Sequence, residues 1–250
     1  MSDPRLSVVE RRLAKVKRIV VFASGKGGVG KSSCSATSAL LLAHNGYKTG
    51  LLDLDFHGAS DHIILGMEPG LPSEEGGILP IEGPLGVKFM GIVPFTGNHG
   101  VALRGEAITD AILELLAVVV WGELDVLVVD MPPGIGEAIL DFSRWVDRIE
   151  VVLISTPSIL SRQVAQRLAE VLASGGVNTR GYLLNMVRDG NDSATGDGAE
   201  TKARLLGRIP YLEELEEEIG SPSRIVSSRM SDSLREVLRN LSFELPFQRR

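Results

Sequence analysis

Largely apolar runs alternate with amphipathic stretches along most of the chain. The runs "RIVVFAS" (18–24), "KTGLLDLD" (48–55), "DVLVVD" (125–130), "EVVLIST" (150–156) and "GYLLNMV" (181–187) predict strands, most of them buried on both faces. Between them lie stretches of helical length and period. Residues 5–17 carry Leu6, Val9, Leu13 and Val16 at three- and four-residue spacing, and 31–46 ends on a glycine stop. Further helices are predicted at about 105–120 and 137–147. Another places Ile159, Leu160, Val164, Leu168, Val171 and Leu172 on one side, and two more lie near 211–219 and 231–241. The Gly- and Pro-rich stretch 66–100 reads as loop with one strand at 87–93, and the polar segment 188–200 as a mobile loop. Alternating strands and helices predict an α/β fold: a doubly wound, mainly parallel sheet with helices on both faces. No linker or internal repeat is visible, so residues 1–250 read as one domain, with residues 1–17 as a helical N-terminal extension.

Composition adds little to this picture but removes alternatives. Apolar residues make up 44% and charged residues 23% of 250 positions, ordinary for a globular chain long enough to bury a large core. The net charge of −6 argues against electrostatic binding of nucleic acid. The single cysteine, Cys34, allows no internal disulfide. The charged start lacks the apolar region of a signal peptide, and "LLAVVVW" (115–121) is too short to span a bilayer. A cytoplasmic location is therefore expected.

The chemistry concentrates where predicted strands end. "GKGGVGKS" (25–32) fits G-x-x-x-x-G-K-[ST] between a strand and a helix, the context a phosphate-binding loop requires. Its glycines let backbone N–H groups turn inward on phosphate oxygens, and the helix N-terminus adds partial positive charge. Lys31 is expected to reach the β- and γ-phosphates and Ser32 to ligate Mg²⁺. Gly25, Lys26, Gly27, Gly28, Val29, Gly30 and Ser33 complete the loop. No [NT]KxD string follows a late strand; "TKAR" at 201 lacks the aspartate, which favours ATP over GTP. Asp130 ends its strand as a candidate for the Mg²⁺ shell, and Gly134 and Gly136 in "DMPPGIGE" have the composition of a switch. Asp53 and Asp55 are expected on opposite faces, with one of them meeting the phosphates readily. Asp55 is assigned to orient the attacking water, and Asp53 to the metal shell.

Together these residues resemble a known family. "KGGVGKS" is similar to the deviant Walker A sequence of the MinD/ParA and nitrogenase iron protein class, and "DLDFHGAS" to its D-x-D-x-x-G-x-S. "WGELD" followed by "DMPPG" resembles the Mrp/ApbC branch, continued by "STPS" (155–158), "LLNM" (183–186) and "RIPYLEEL" (208–215). The resemblance implies that Lys26 is the signature lysine, which reaches the partner's phosphates in an ATP-bound homodimer. It also implies that Asn185 and the segment around Pro210 border the adenine. One feature departs from the branch. Mrp-type carriers have C-x-x-C after the "NM" strand, whereas residues 186–207 hold no cysteine. This chain cannot hold a bridging cluster in the family's way. Cys34 reads as a small packed residue.

The resulting expectation is a Mg–ATP-dependent, dimerising ATPase that acts as a switch in metallocofactor assembly through partner proteins. The cargo would be iron–sulfur clusters or, as in the MinD-like HypB hydrogenase-maturation proteins, nickel. His57, Asp61 and His62 invite a nickel assignment, although ordinary polar roles suit the histidines better. The alternative is a MinD-like positioning ATPase. Against it, the predicted helix at 231–241 balances Arg235 and Arg239 with acids, where a membrane-surface helix would be more basic.

Overall fold

The computed structural model describes residues 3–96, 104–135, 137–177, 179–188 and 203–245. Among these residues the elements are α1 (Arg5–Leu13), β1 (Val16–Ala23), α2 (Lys31–His44), β2 (Thr49–Asp53), α3 (Asp61–Ile64), β3 (Ile81–Glu82), β4 (Lys88–Met90), α4 (Val93–Thr96), α5 (Glu106–Val118) and β5 (Leu124–Asp130). They continue with α6 (Glu137–Trp145), β6 (Ile149–Ser155), α7 (Ile159–Ser174), β7 (Thr179–Val187), β8 (Leu205–Pro210), α8 (Leu215–Glu218), α9 (Pro222–Val226) and α10 (Arg229–Asn240).

The strands form one sheet in the order β3-β4-β2-β5-β1-β6-β7-β8. All pair in parallel except the two-residue edge strand β3, which runs antiparallel to β4. Continuous apolar character is what the central strands need, because helices cover both faces. On one face α2, α9 and α10 close over Val20, Phe22, Val126 and Val128. On the other, α1, α5, α6 and α7 close over Ile19, Val21, Leu127 and Val129. Cys34 to Leu42 of α2 are all buried, because this helix packs on the sheet with α3, α9 and α10 against its sides. Cys34 is packed as expected, and burial pushes its thiol up.

The register aligns the strand ends that matter. Phe22 of β1 pairs with Asp130 of β5, and Asp130 pairs with Asp53 of β2. The loops after β1, β2 and β5 therefore leave the sheet side by side. Strand order reverses about β1, and ligands bind beyond the carboxyl ends of strands at such a switch point.

Several expectations need correction. Residues 5–17 are not one helix, because α1 ends at Leu13 and Val16 already belongs to β1. Nor is α1 a mere extension: Val9 and Leu13 are buried in the core. In α7, Ile159 and Leu160 do not share the buried stripe. They are 65% and 69% exposed in its first turn, while Ser161, Ala165, Leu168 and Leu172 face inward. The strand expected at 87–93 stops at Met90, and Val93 opens a short helical turn. The helix expected over 211–219 is one turn, Leu215–Glu218, because the Tyr211 N–H still bonds to the Val187 carbonyl beside β7. Strand β8 escaped sequence reading: it is next to β7 at the sheet edge, and Arg208 interrupts its apolar pattern. Gly136 and most of segment 188–200 lie outside the described residues.

Helix α10 packs its apolar side on its own sheet: Leu234, Val237, Leu238 and Leu241 are all buried. Among the described residues no helix is long and apolar enough to cross a membrane. Leu234→Ala is expected to cost about 2–5 kcal/mol through lost burial and a cavity, measured as a lowered midpoint in urea unfolding with an unchanged slope.

Candidate nucleotide and cation site

The phosphate loop begins where β1 ends. Gly28 and Gly30 have φ of +76° and +80°, the left-handed region that a side chain resists. Gly30 is also the N-cap residue of α2 and offers no side-chain cap, so the first-turn N–H groups stay free to meet an anion. A cavity of about 340 Å³ lies over the loop. It is lined by Ser24, Lys26 to Ser33, Asp55, Gly58, Ser60 and Pro133. Gly25 lies outside this lining: a Cβ there would press on Val164 of α7 at 2.5 Å, so it serves close packing.

Lys31 is almost wholly buried, and its Nζ lies 2.7 Å from Asp130 Oδ2 and 3.7 Å from Asp55 Oδ2. The Ser32 hydroxyl donates to the same Asp130 oxygen at 2.7 Å. Burial works against the Lys31 ammonium, but the charge and hydrogen bond of Asp130, with Asp61 and Asp55 behind it, outweigh burial and raise its pKa. Lys26 is half-buried, its backbone carbonyl accepts from Ser24 Oγ at 3.0 Å, and its ammonium makes no ion pair among the described residues.

Asp53 and Asp55 are not sent to opposite sides, because positions two apart in extended chain share a face. The strand ends at Asp53, and a tight turn follows, closed by the Phe56 N–H on the Leu54 carbonyl at 3.0 Å. Both acids thus lie near Lys31. Asp53 accepts from the backbone N–H of Asp55 at 3.0 Å and of Asp61 at 3.3 Å. Burial, reinforced by the charge of Asp130, pushes its carboxyl up to about 7. Asp130 is also raised, by burial first, with Lys31 and Ser32 acting in the opposite direction. Its Oδ1 is buried without a hydrogen-bond partner. An orphaned carboxylate oxygen next to a serine hydroxyl is a donor set that fits Mg²⁺, so Ser32 and Asp130 suit that ion.

Sequence reasoning passed over Asp61 as a group of this site. It is fully buried, and it gathers with Asp53 and Asp130 so that one ligand atom from each lies within 4.8 Å of the others. His57 and His62 are not in that group. His57 is exposed, whereas His62 is buried, which lowers its pKa.

Asn185 stands against the loop: its Nδ2 donates to the Val29 carbonyl at 2.8 Å, and its Oδ1 accepts from the Met186 N–H. A shift in strand pairing between Leu184 and Val187, with Met186 at φ +61°, turns it there. Pro210 pairs with Val187 at the same edge, and the Arg188 guanidinium covers the Tyr211 ring at 4.4 Å. Gly134, with φ +134°, donates its N–H to the Ser24 carbonyl, tying the segment after β5 to the loop.

A glycine-rich loop, an uncapped helix start, a buried lysine and a strand-end carboxylate define the site of a P-loop NTPase. The chain belongs to the ParA family described as NUBPL iron-transfer P-loop NTPases, whose model matches residues 15–245. It is 36% identical over 178 residues to the iron-sulfur cluster carrier protein of Pseudomonas fragi, covering 70% of this chain and 62% of that protein. It is 34% identical over 226 residues to the carrier protein of Methanococcus maripaludis, covering 84% and 78%. The chain spans less than two thirds of the Pseudomonas relative and 46% of a mycobacterial one. Among solved structures, a nucleotide-binding protein from Archaeoglobus fulgidus in complex with ADP matches with a TM-score of 0.73 and 29% identity, covering 89% of this chain and 93% of that one. A MinC:MinD complex from Aquifex aeolicus shares the fold, with a TM-score of 0.67 and 22% identity over 93% of this chain.

A Cβ at Gly30 would lie 2.2 Å from Asn185 Nδ2, an atom held by its bond to Val29. Gly27 has open space around it. Gly30→Ala is therefore expected to destabilise the chain by about 1–3 kcal/mol or more through backbone strain and this clash. Gly27→Ala should leave stability within about 0.5 kcal/mol. Thermal unfolding of the two variants side by side checks the contrast.

Proposed function

We propose that this chain binds Mg–ATP, pairs with a second copy of itself when ATP is bound, hydrolyses ATP slowly to ADP and phosphate, and thereby switches its grip on a partner in metallocofactor assembly. The observation that carries the reading is the Lys31–Asp130–Ser32 cluster beneath an uncapped helix start, with Lys26 left uncommitted at the loop's mouth. Residues 1–250 act as one domain in this reading, in the cytoplasm.

The loop N–H groups cradle the phosphates, and Lys31 leaves Asp130 to meet the β- and γ-oxygens. Mg²⁺, when bound, neutralises charge developing on the transferred phosphoryl group; Ser32, Asp130 and Asp53 are the residues placed to hold it. Asp55 lines the cavity over the loop and orients the attacking water. Asn185 and Pro210 flank the base. Lys26 supplies positive charge across the dimer, as an arginine finger does, so hydrolysis depends on pairing. Exposed Ile135, Ile159 and Leu160 follow the carboxyl ends of β5 and β6 and give the pairing face apolar area. The tie between Gly134 and Ser24 lets loss of the γ-phosphate reach that face.

The name shared by the curated relatives supports iron–sulfur assembly as the setting. With one cysteine, buried beside the loop, this chain serves that setting through a partner and not through a cluster of its own. A hydrogenase-maturation partner carrying nickel is the narrower variant.

Lys31→Ala should abolish nucleotide binding. Lys26→Ala should keep it and lose ATP-dependent dimers; light scattering with a non-cleavable ATP analogue reads both, and undiminished dimers in the Lys26 variant would remove the role given to that lysine. Capture of partners with and without ATP, followed by metal analysis, tests the setting. Iron–sulfur apoproteins support it, a hydrogenase accessory protein moves the cargo to nickel, and retention on lipid vesicles supports the positioning alternative.

A further inference from the structure

The carboxylates behind Lys31 are not balanced by it. Asp53, Asp61 and Asp130 are all buried, and one ammonium, that of Lys31, lies among them. Both oxygens of Asp61 and Oδ1 of Asp130 are buried without a hydrogen-bond partner. The backbone N–H of Asp61 donates to Asp53, which fixes the two acids relative to each other.

We propose that Asp53, Asp61 and Asp130 form a site for one hard divalent cation, such as Mg²⁺ or Mn²⁺, that fills in the absence of nucleotide, with Asp61 as the ligand that completes it. With Asp55 also 3.7 Å from Lys31, the carboxylates outnumber the one ammonium, and a divalent cation offsets that excess. Ligand atoms within 4.8 Å of one another can share a cation at the usual distances of about 2.1–2.4 Å. The set is all oxygen, with no histidine or cysteine in it, a donor type that suits magnesium-like ions. Lys31 occupies Asp130 Oδ2 and leaves Oδ1 to the cation, so both fit together. Burial, with repulsion from Asp130 and Asp53, raises the Asp61 carboxyl well above its ordinary range, so protons compete for the same oxygens. This deepens the reading above and rests on it only in placing Asp130 beside the phosphates. When Lys31 turns to the nucleotide, the cation remains as the counter-charge of the acids.

The test uses the full chain, stripped of metal and nucleotide, at pH 8. Mn²⁺ is titrated in and the free aquo ion is read by electron paramagnetic resonance. The wild type should hold one Mn²⁺ per chain, and Asp61→Asn should weaken that binding at least tenfold. Thermal melting supplies the second readout. Mn²⁺ should raise the wild-type midpoint and leave that of Asp61→Asn unmoved. In EDTA the variant should melt at or above the wild type, because a buried charge has gone. Asp53→Asn serves in the same way if Asp61→Asn fails to fold. No retained Mn²⁺ in the wild type without ATP, or binding by the variant within twofold of wild type, overturns the proposal. A fluorescent ADP titrated in EDTA reports the nucleotide site separately, so its failure would sink that reading and leave the cation result standing.

Discussion

The contact between Lys31 and Asp130 at 2.7 Å organises this end of the molecule. Both groups are buried, and removing either would strand the other away from water at a cost of several kcal/mol. Asp130 is anchored by the central strand β5, and Lys31 by the first turn of a helix that packs against both the sheet and α10. The helical layer on that face of the sheet must therefore close for the pair to form. The loop between β1 and α2 is held at one end by that pair and at its middle by Asn185. Among the described residues, the N–H groups at the start of α2 and the ammonium of Lys26 remain uncommitted, and a free helix start is suited to an anion.

The pair also sets the charge logic of the site. Lysine in a pit of carboxylates is a loan of positive charge that phosphate can call in. On the proposed reading, Lys31 turns to phosphate oxygens and leaves Asp130, and the proposed divalent cation remains as the counter-charge of the acids. Nucleotide and cation would then be coupled through one side chain. The segment after β5 is tied to the same loop through Gly134, one residue before the exposed Ile135.

Much of this was legible in the sequence, for identifiable reasons. The strands at 125–130 and 150–156 read cleanly because helices cover both their faces, which requires unbroken apolar runs. The phosphate loop read cleanly because its work is done by neighbours in sequence: glycines for the turn, lysine and serine at the helix start. Reading failed where neighbours in space decided the outcome. Ile159 and Leu160 look like core by spacing, but α7 begins beyond the carboxyl end of β6 and leaves them in solvent. Strand β8 has a weak pattern because it lies at the edge, one strand beyond β7, and β3 is two residues long. Asp55 was set on the face opposite Asp53, yet positions two apart in extended chain share a face, and both acids lie near Lys31.

The chain by itself determined the fold class, the phosphate-binding loop and the strand-end acid, because each is written in a short contiguous stretch whose local geometry does the chemistry. Tertiary structure alone decided that Asp61 joins Asp53 and Asp130 and that Asn185 braces the loop. Those placements depend on strand register, on a turn after β2 and on burial. Each is settled by which distant segments pack together, and no spacing along the chain records that.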